Sequence, residues 1–287
     1  MPQFRSRIAR LVPQGFRPMA KRQVRILDQI RGYPGSRRRP GVVVMLHVGR
    51  CGSTVLADLL AQNPAIFWDG KLPRKAHQLY GEKVRELDFG RWIRRQFAIS
   101  GDRFYGFEFK VLADQYSAVF GTTTRGFLEE CRRIGVTHYI LLTRRNTLRH
   151  VVSHYASRNR GRWHASSADE VRAQTFHLDI SEITTGSAPG RSLTDYLQEV
   201  NDAHDEVRRL LKHEKLLEIE YESDIDARGA IYAYRQICSF LVIESAAVKV
   251  RNVKVNPYPM DRVIENFDEI AQTLADTKFA WMTDDKI

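Results

Sequence analysis

Cysteine is scarce in this chain of 287 residues: Cys51, Cys131 and Cys238 are odd in number and far apart. Their spacing suits neither a metal site nor a disulfide framework, and it points to a reducing compartment. Long apolar runs are missing as well. No stretch of about 18 apolar residues is present to form a membrane-spanning helix. The first residues lack the charged, apolar and small-residue pattern of a secretory signal. There is no internal repeat. Acid is nearly absent from residues 1–40, which hold eleven Lys or Arg and a single carboxylate, Asp28. That segment carries +10 of the chain's net +11. The basic excess therefore belongs to a leader, and the remainder is close to neutral.

The leader interleaves Phe4, Ile8, Leu11 and Val12 with Arg5, Arg7 and Arg10. This pattern fits a solvated tail or an arm over residues 1–31 that rests on anionic lipid. A nucleic-acid arm or a transit peptide has similar composition; no nucleic-acid partner is expected. Residues 32–40, rich in Gly, Pro and Arg, read as a linker into one domain over 41–287.

What the domain does have is an apolar run, Val42-Val43-Val44-Met45-Leu46-His47-Val48, followed by Gly49-Arg50-Cys51-Gly52-Ser53-Thr54 and then the apolar-periodic Val55 to Leu60. A strand, a glycine turn and a helix are predicted. Such a turn aims backbone N–H groups and a positive helix N-terminus at one spot, which suits a phosphate or sulfate ester. Ser53 and Thr54 add hydroxyls and Arg50 adds a fixed charge. The nucleoside-triphosphate loop G-x-x-x-x-G-K-[ST] does not fit, because the glycines are too close and no lysine follows the second.

Downstream, strands are expected at 66–68, ended by Asp69-Gly70, and at 104–111, 138–143 and 216–221. Helices are expected over 71–100, 124–133, 146–157, 193–212, 227–240 and 264–274. Strands alternating with helices predict an α/β fold with a mainly parallel, P-loop-like sheet flanked by helices. The strand at 138–143 runs into Arg144-Arg145-Asn146, and Ser153 stands eight residues after Arg145. In a parallel sheet this strand end shares a crevice with the glycine turn. Two anion sites at one crevice imply a ligand with two separated phosphate groups.

These two motifs together resemble the sulfotransferases that use 3′-phosphoadenosine 5′-phosphosulfate (PAPS). Members carry a strand, then [KR]-x-G-[ST]-[ST], then a helix; a later strand is followed by Arg and, eight residues on, by Ser. Glu220-Tyr221-Glu222 is similar to a Tyr-Glu step in many members. Asn256-Pro257 with Ile264 to Glu269 resembles a C-terminal segment of bacterial members. The resemblance spans roughly residues 41–282. It implies a PAPS-dependent transferase without a metal. Arg50, Cys51, Gly52, Ser53 and Thr54 would hold the 5′-phosphosulfate, Arg145 and Ser153 the 3′-phosphate, and Tyr221 would lie near the adenine. Lys254 is a further candidate for a phosphate contact.

The acceptor hydroxyl needs a base. Asp69 is the first candidate, with Lys71 close by in sequence and Glu108 and His77 as reserves. His47 alternates with core residues and reads as a packed histidine. His150, His154 and His164 lack companions for a zinc site. The acceptor, a glycan, glycolipid or small metabolite, would meet walls drawn from residues 71–100 and 158–192. A cytoplasmic setting is expected. Two other classes stay open: an atypical P-loop kinase, and a non-catalytic nucleotide- or membrane-binding protein.

Overall fold

The computed structural model describes residues 39–97, 100–159, 174–185, 189–252 and 258–284. The arm, His164, Lys254 and Asn256-Pro257 lie outside these residues.

Strand β1 (Val42–His47) is buried along its whole length. An apolar run without polar alternation needs cover on both faces. Val42, Val44 and Leu46 enter one apolar layer, and Val43 and Met45 enter the other. The remaining strands are β2 (Ile66–Lys71), β3 (Phe104–Lys110), β4 (His138–Thr143) and β5 (Leu216–Glu220). The sheet order is β2-β3-β1-β4-β5, and every neighbouring pair is parallel. The chain thus has the α/β architecture that its alternating pattern predicted.

The α-helices of eight residues or more among the described residues are α1 (Ser53–Gln62), α2 (Leu72–Tyr80), α3 (Phe89–Phe97), α4 (Thr124–Ile134), α5 (Thr147–Asn159), α6 (Leu193–Leu210), α7 (Ala230–Phe240) and α8 (Phe267–Leu274). Leu56, Leu59 and Leu60 of α1 pack with Ala233, Tyr234 and Ile237 of α7 against one face. Side chains of α2 to α6 and α8 fill the other. Among the described residues no helix is long and apolar enough to cross a membrane.

Three segments differ from the sequence pattern. β2 does not end at Asp69-Gly70. The register shifts between Trp68 and Lys71 while Gly70 takes φ 71°, so a bulge carries the strand on to Lys71. The helical region 71–100 is broken: α2 stops where Gly81 takes φ 55°, and a 3₁₀ segment leads to α3. After β5, Tyr221–Ala227 forms a wide π-type turn before α7 begins.

The chain leaves β1 for the β2 side of the sheet and leaves β4 for the β5 side. β1 and β4 are adjacent, so their following loops diverge and open a crevice at the C-terminal ends of the strands.

Candidate functional site

The turn after β1 is built from left-handed backbone. Gly49 has φ 101°, Arg50 φ 46° and Gly52 φ 85°. A non-glycine residue at such an angle costs about 1 kcal/mol or more and persists where its surroundings impose it. Gly52 is also sterically required: a Cβ there would sit 2.7 Å from Ile225 Cδ1 and 3.2 Å from Tyr221 Cδ2. Gly52 precedes α1, and no side chain caps that helix. No acidic residue stands in its first turn. The first backbone N–H groups of α1 and the positive end of its dipole thus face the crevice with no carboxylate from their own turn.

Ser53, Thr54, Gly49 and Arg50 line a cavity of about 670 Å³ above the sheet. Its other walls are His47, Val48, Lys71, Pro73, Arg74, His77, Lys110, Gln115, Val119, His150, His154 and Thr185. Both segments expected to wall an acceptor contribute, through residues 71–77 and Thr185. Cys51 does not line it. That thiol is buried, and burial pushes its pKa up to about 11, so it stays protonated.

Arg50 Nε donates to Ser153 Oγ at 3.1 Å, so the glycine turn and α5 are in direct contact. Arg144 completes the junction. Its guanidinium donates to the Arg50 carbonyl at 3.0 Å and lies 4.6 Å from the centre of the Tyr221 ring. Its side chain is only 9 % exposed and pairs with Glu222 at 3.5 Å. Arg145 turns the other way. Its side chain is half exposed and lies 3.7 Å from Glu220, in a second cavity of about 370 Å³ that Arg144 also lines, with His204, Arg208, Lys278 and Trp281. The structure therefore brings Arg50, Gly52, Ser53, Thr54, Ser153 and Tyr221 together, and leaves the Arg145 side chain outside the group.

Lys110 ends β3 beside His47, its partner in the β1–β3 register. Burial, then the nearby charge of Lys71, brings its pKa down to about 8. With Lys71 at the end of β2, Arg50 after β1 and Arg144 after β4, four adjacent strands each present one cation at the same edge. At roughly 4.8 Å between strands, the row spans about 14 Å.

Among the described residues no carboxylate lines the large cavity. Each nearby acid has a partner within the protein. Asp69 is buried, pairs with Lys75 and accepts from Tyr105 at 2.7 Å. Asp114 pairs with Arg191 at 3.3 Å. Glu222 accepts from the N–H groups of Arg145 at 2.9 Å and Asn146 at 3.3 Å. Glu108 lies 3.3 Å from His47 Nε2 and 3.5 Å from Trp68 Nε1. Burial works to raise the Glu108 pKa, but His47, Lys71 and Trp68 outweigh it and hold the carboxyl below its usual value. Burial keeps His47 low and neutral. His154 falls to about 4 through burial and the charges of Lys110, Arg50 and Arg158. His77 is exposed on α2.

Sequence reasoning did not pick out Lys110, Arg144 or the His47–Glu108 pair. All three depend on which strands are neighbours. The alternation of Glu108 and Lys110 along β3 was the one signal within reach.

No protein-family model matches this chain, and no curated protein matches it.

Proposed function

We propose that the protein is a sulfotransferase. It moves a sulfuryl group from PAPS to an acceptor hydroxyl. The observation that carries this reading is the cation row across four strand ends, of which Lys71, Lys110 and Arg50 line a cavity with no carboxylate among its described walls. The row is too long for one phosphate and suits a nucleotide with two. A magnesium-dependent kinase needs a lysine after the second glycine and acidic metal ligands at its phosphates. Neither is found among the described residues around this cavity.

In the proposed complex the α1 N-terminus, Ser53, Thr54 and Arg50 hold the 5′-phosphosulfate. Arg144 and Ser153 face the 3′-phosphate, and Tyr221, against Gly52 and Arg144, borders the nucleoside. Arg145 can join only by leaving Glu220. The acceptor oxygen attacks sulfur in line, forming one S–O bond. The bond from sulfur to the bridging phosphate oxygen breaks, and 3′-phosphoadenosine 5′-phosphate leaves. Charge grows on that leaving oxygen, where Arg50, Lys110 and the loop amides are already aimed, so little reorganisation is needed.

The acceptor proton goes to His47. It lines the cavity and has the Glu108 carboxylate 3.3 Å from its Nε2 to stabilise the imidazolium. His154, brought down to about 4 by burial and then by the charges of Lys110, Arg50 and Arg158, is a poor base near neutrality. Asp69 supports the wall from below through Lys75 and Tyr105. His47→Gln should lower kcat by roughly 100-fold. Asp69→Asn should cost about 1–3 kcal/mol of stability and spare kcat. The opposite pattern, with kcat lost in Asp69→Asn alone, would return the base to Asp69.

The direct test is thermal. At 100 times Kd, 3′-phosphoadenosine 5′-phosphate should stabilise the fold by about 2.7 kcal/mol and raise Tm by several degrees. ATP with magnesium should do much less. No shift with the first, or a larger one with the second, overturns the proposal. The proposal extends to location: a cytoplasmic enzyme whose residues 1–31 touch anionic lipid. Flotation with anionic liposomes, before and after deletion of residues 1–35, tests that part.

A further inference from the structure

The donor accounts for three of the four strand-end cations, and the fourth has a different setting. Lys71 ends β2, two strands away from β1 and roughly 10 Å from its turn. Arg74 follows on the first turn of α2, and His77 lies one turn further on. All three line the large cavity. Arg50 and Arg144 are tied to Ser153, Glu222 and the turn backbone. Lys71 and Arg74 make no ion pair or hydrogen bond among the described residues. The β2 bulge at Gly70 holds Lys71 at the cavity edge, opposite Glu108 in the register. Asp69, the nearest acid in sequence, is spent on Lys75 and Tyr105.

Lys110 stands on the strand between this pair and the donor turn, and Val48, Pro73 and Val119 add apolar wall. Gln115 adds one buried amide. Its Nε2 donates to the Val48 carbonyl at 3.0 Å, while its Oε1 has no hydrogen-bond partner. An acceptor in this space meets apolar side chains, one amide oxygen able to accept a hydrogen bond from a hydroxyl, and two cations at the far end, of which Lys71 also acts on the buried Glu108 and Arg74 is exposed. A positively charged acceptor would be repelled along the whole row.

We infer that the acceptor is itself an anion: a hydroxyl compound with a carboxylate, phosphate or sulfate roughly 5–10 Å from the reacting oxygen, held by Lys71 and Arg74. This rests on the sulfotransferase reading and narrows its substrate class. The negative group docks on α2 and the end of β2, which orients the hydroxyl toward the sulfur above β1. Because both cations are partly exposed, the contact is sensitive to salt.

The test uses the full chain and ³⁵S-labelled PAPS with an extract of alcohols split on an anion exchanger into neutral and acidic fractions. Label should enter the acidic fraction. For the acceptor purified from it, Lys71→Ala/Arg74→Ala should raise KM at least tenfold, with a far smaller change in 3′-phosphoadenosine 5′-phosphate affinity. Arg94→Ala/Arg95→Ala, two exposed cations on α3, serves as the control and should change neither. The basic arm is common to all these proteins and cancels. Label entering only the neutral fraction overturns the inference and leaves the transferase reading intact. So does an unchanged KM in the double variant. No label in either fraction from a protein that binds the nucleotide overturns both the inference and the transfer reaction. A protein that does not bind the nucleotide at all overturns the underlying reading.

Discussion

Two strand-to-helix turns meet at the top of the sheet, and they are dressed in opposite ways. The β1–α1 turn has three left-handed residues, no cap on its helix and no acid beside it. The β4–α5 turn has tandem arginines, but Glu222 already sits on the amides of Arg145 and Asn146, and Glu220 lies beside the Arg145 side chain. Asn146 caps the helix by accepting from the Arg149 N–H at 3.0 Å. One turn is therefore open to an external anion, while the other is filled by carboxylates of the same chain. Both look like anion sites in one dimension. Whether a site is vacant depends on neighbours supplied by β5, some 75 residues later.

The largest expected effect comes from the open turn. Arg50→Ala removes its cation and the bond to Ser153, and should lower transfer by roughly 100- to 1000-fold. Arg50→Lys should recover only part, because a point charge cannot replace the planar fork. Far-ultraviolet circular dichroism and Tm check that the fold survives. Near-normal turnover in Arg50→Ala would remove the contrast between the turns.

Next comes the ranking of the tandem arginines. Arg144→Ala should weaken 3′-phosphoadenosine 5′-phosphate binding by about 10- to 100-fold, as for loss of a charged, largely buried contact. Arg145→Ala should cost only a few-fold. Calorimetric titration of both variants decides. The reverse ranking would show that Arg145 leaves Glu220 when nucleotide binds, which is the role its spacing to Ser153 suggests.

The fold was legible where burial is two-sided. The runs in β1 and β4 are buried throughout and apolar apart from residues at their ends, because each is covered on both faces. Gly135, with φ 87° at the end of α4, marks a helix terminus that composition alone announces. Legibility failed where geometry overrides a local stop signal. Asp69-Gly70 reads as a turn, yet the bulge keeps it within β2 and delivers Lys71 to the cavity. The same limit applies to the site. Arg50, Ser53 and Thr54 are contiguous and visible. His47 with Glu108, and Lys110 with Lys71, are partners across strands whose adjacency no local pattern encodes. His47 in particular looks like a core residue because it is one by burial, at 0 % exposure; its cavity position comes from standing at the strand end.

Acidity separates the turns further. Lys110 lines the cavity beside the open turn and has a pKa of about 8, lowered by burial and by Lys71. An anion binds its protonated form, and bound anion raises its pKa in turn. Nucleotide affinity should therefore be flat below about pH 8. Above it, affinity should fall by up to tenfold per pH unit until the raised pKa of the complex is reached. Lys110→Arg keeps its charge throughout this range, so it should flatten the profile. A profile unchanged by that substitution would place the titrating group elsewhere.

The smallest effect should come from emptying the filled turn. Glu222→Gln removes the charge that covers the Arg145 and Asn146 amides and pairs with Arg144, while one side-chain oxygen remains to accept from one of those two amides. If Glu222 mainly competes with the second phosphate, affinity for 3′-phosphoadenosine 5′-phosphate should rise about two- to fivefold, because one repulsion is removed from a partly screened site. Adenosine 5′-phosphate, which lacks the 3′ group, should bind this variant as it binds the wild type. The difference between the two nucleotides isolates the 3′ position. Equal gains for both would mean that Glu222 acts on the general field of the crevice. A loss for both would mean that its main task is to hold Arg144 against Tyr221 and the β1–α1 turn. In that case the filled turn is the scaffold of the open one.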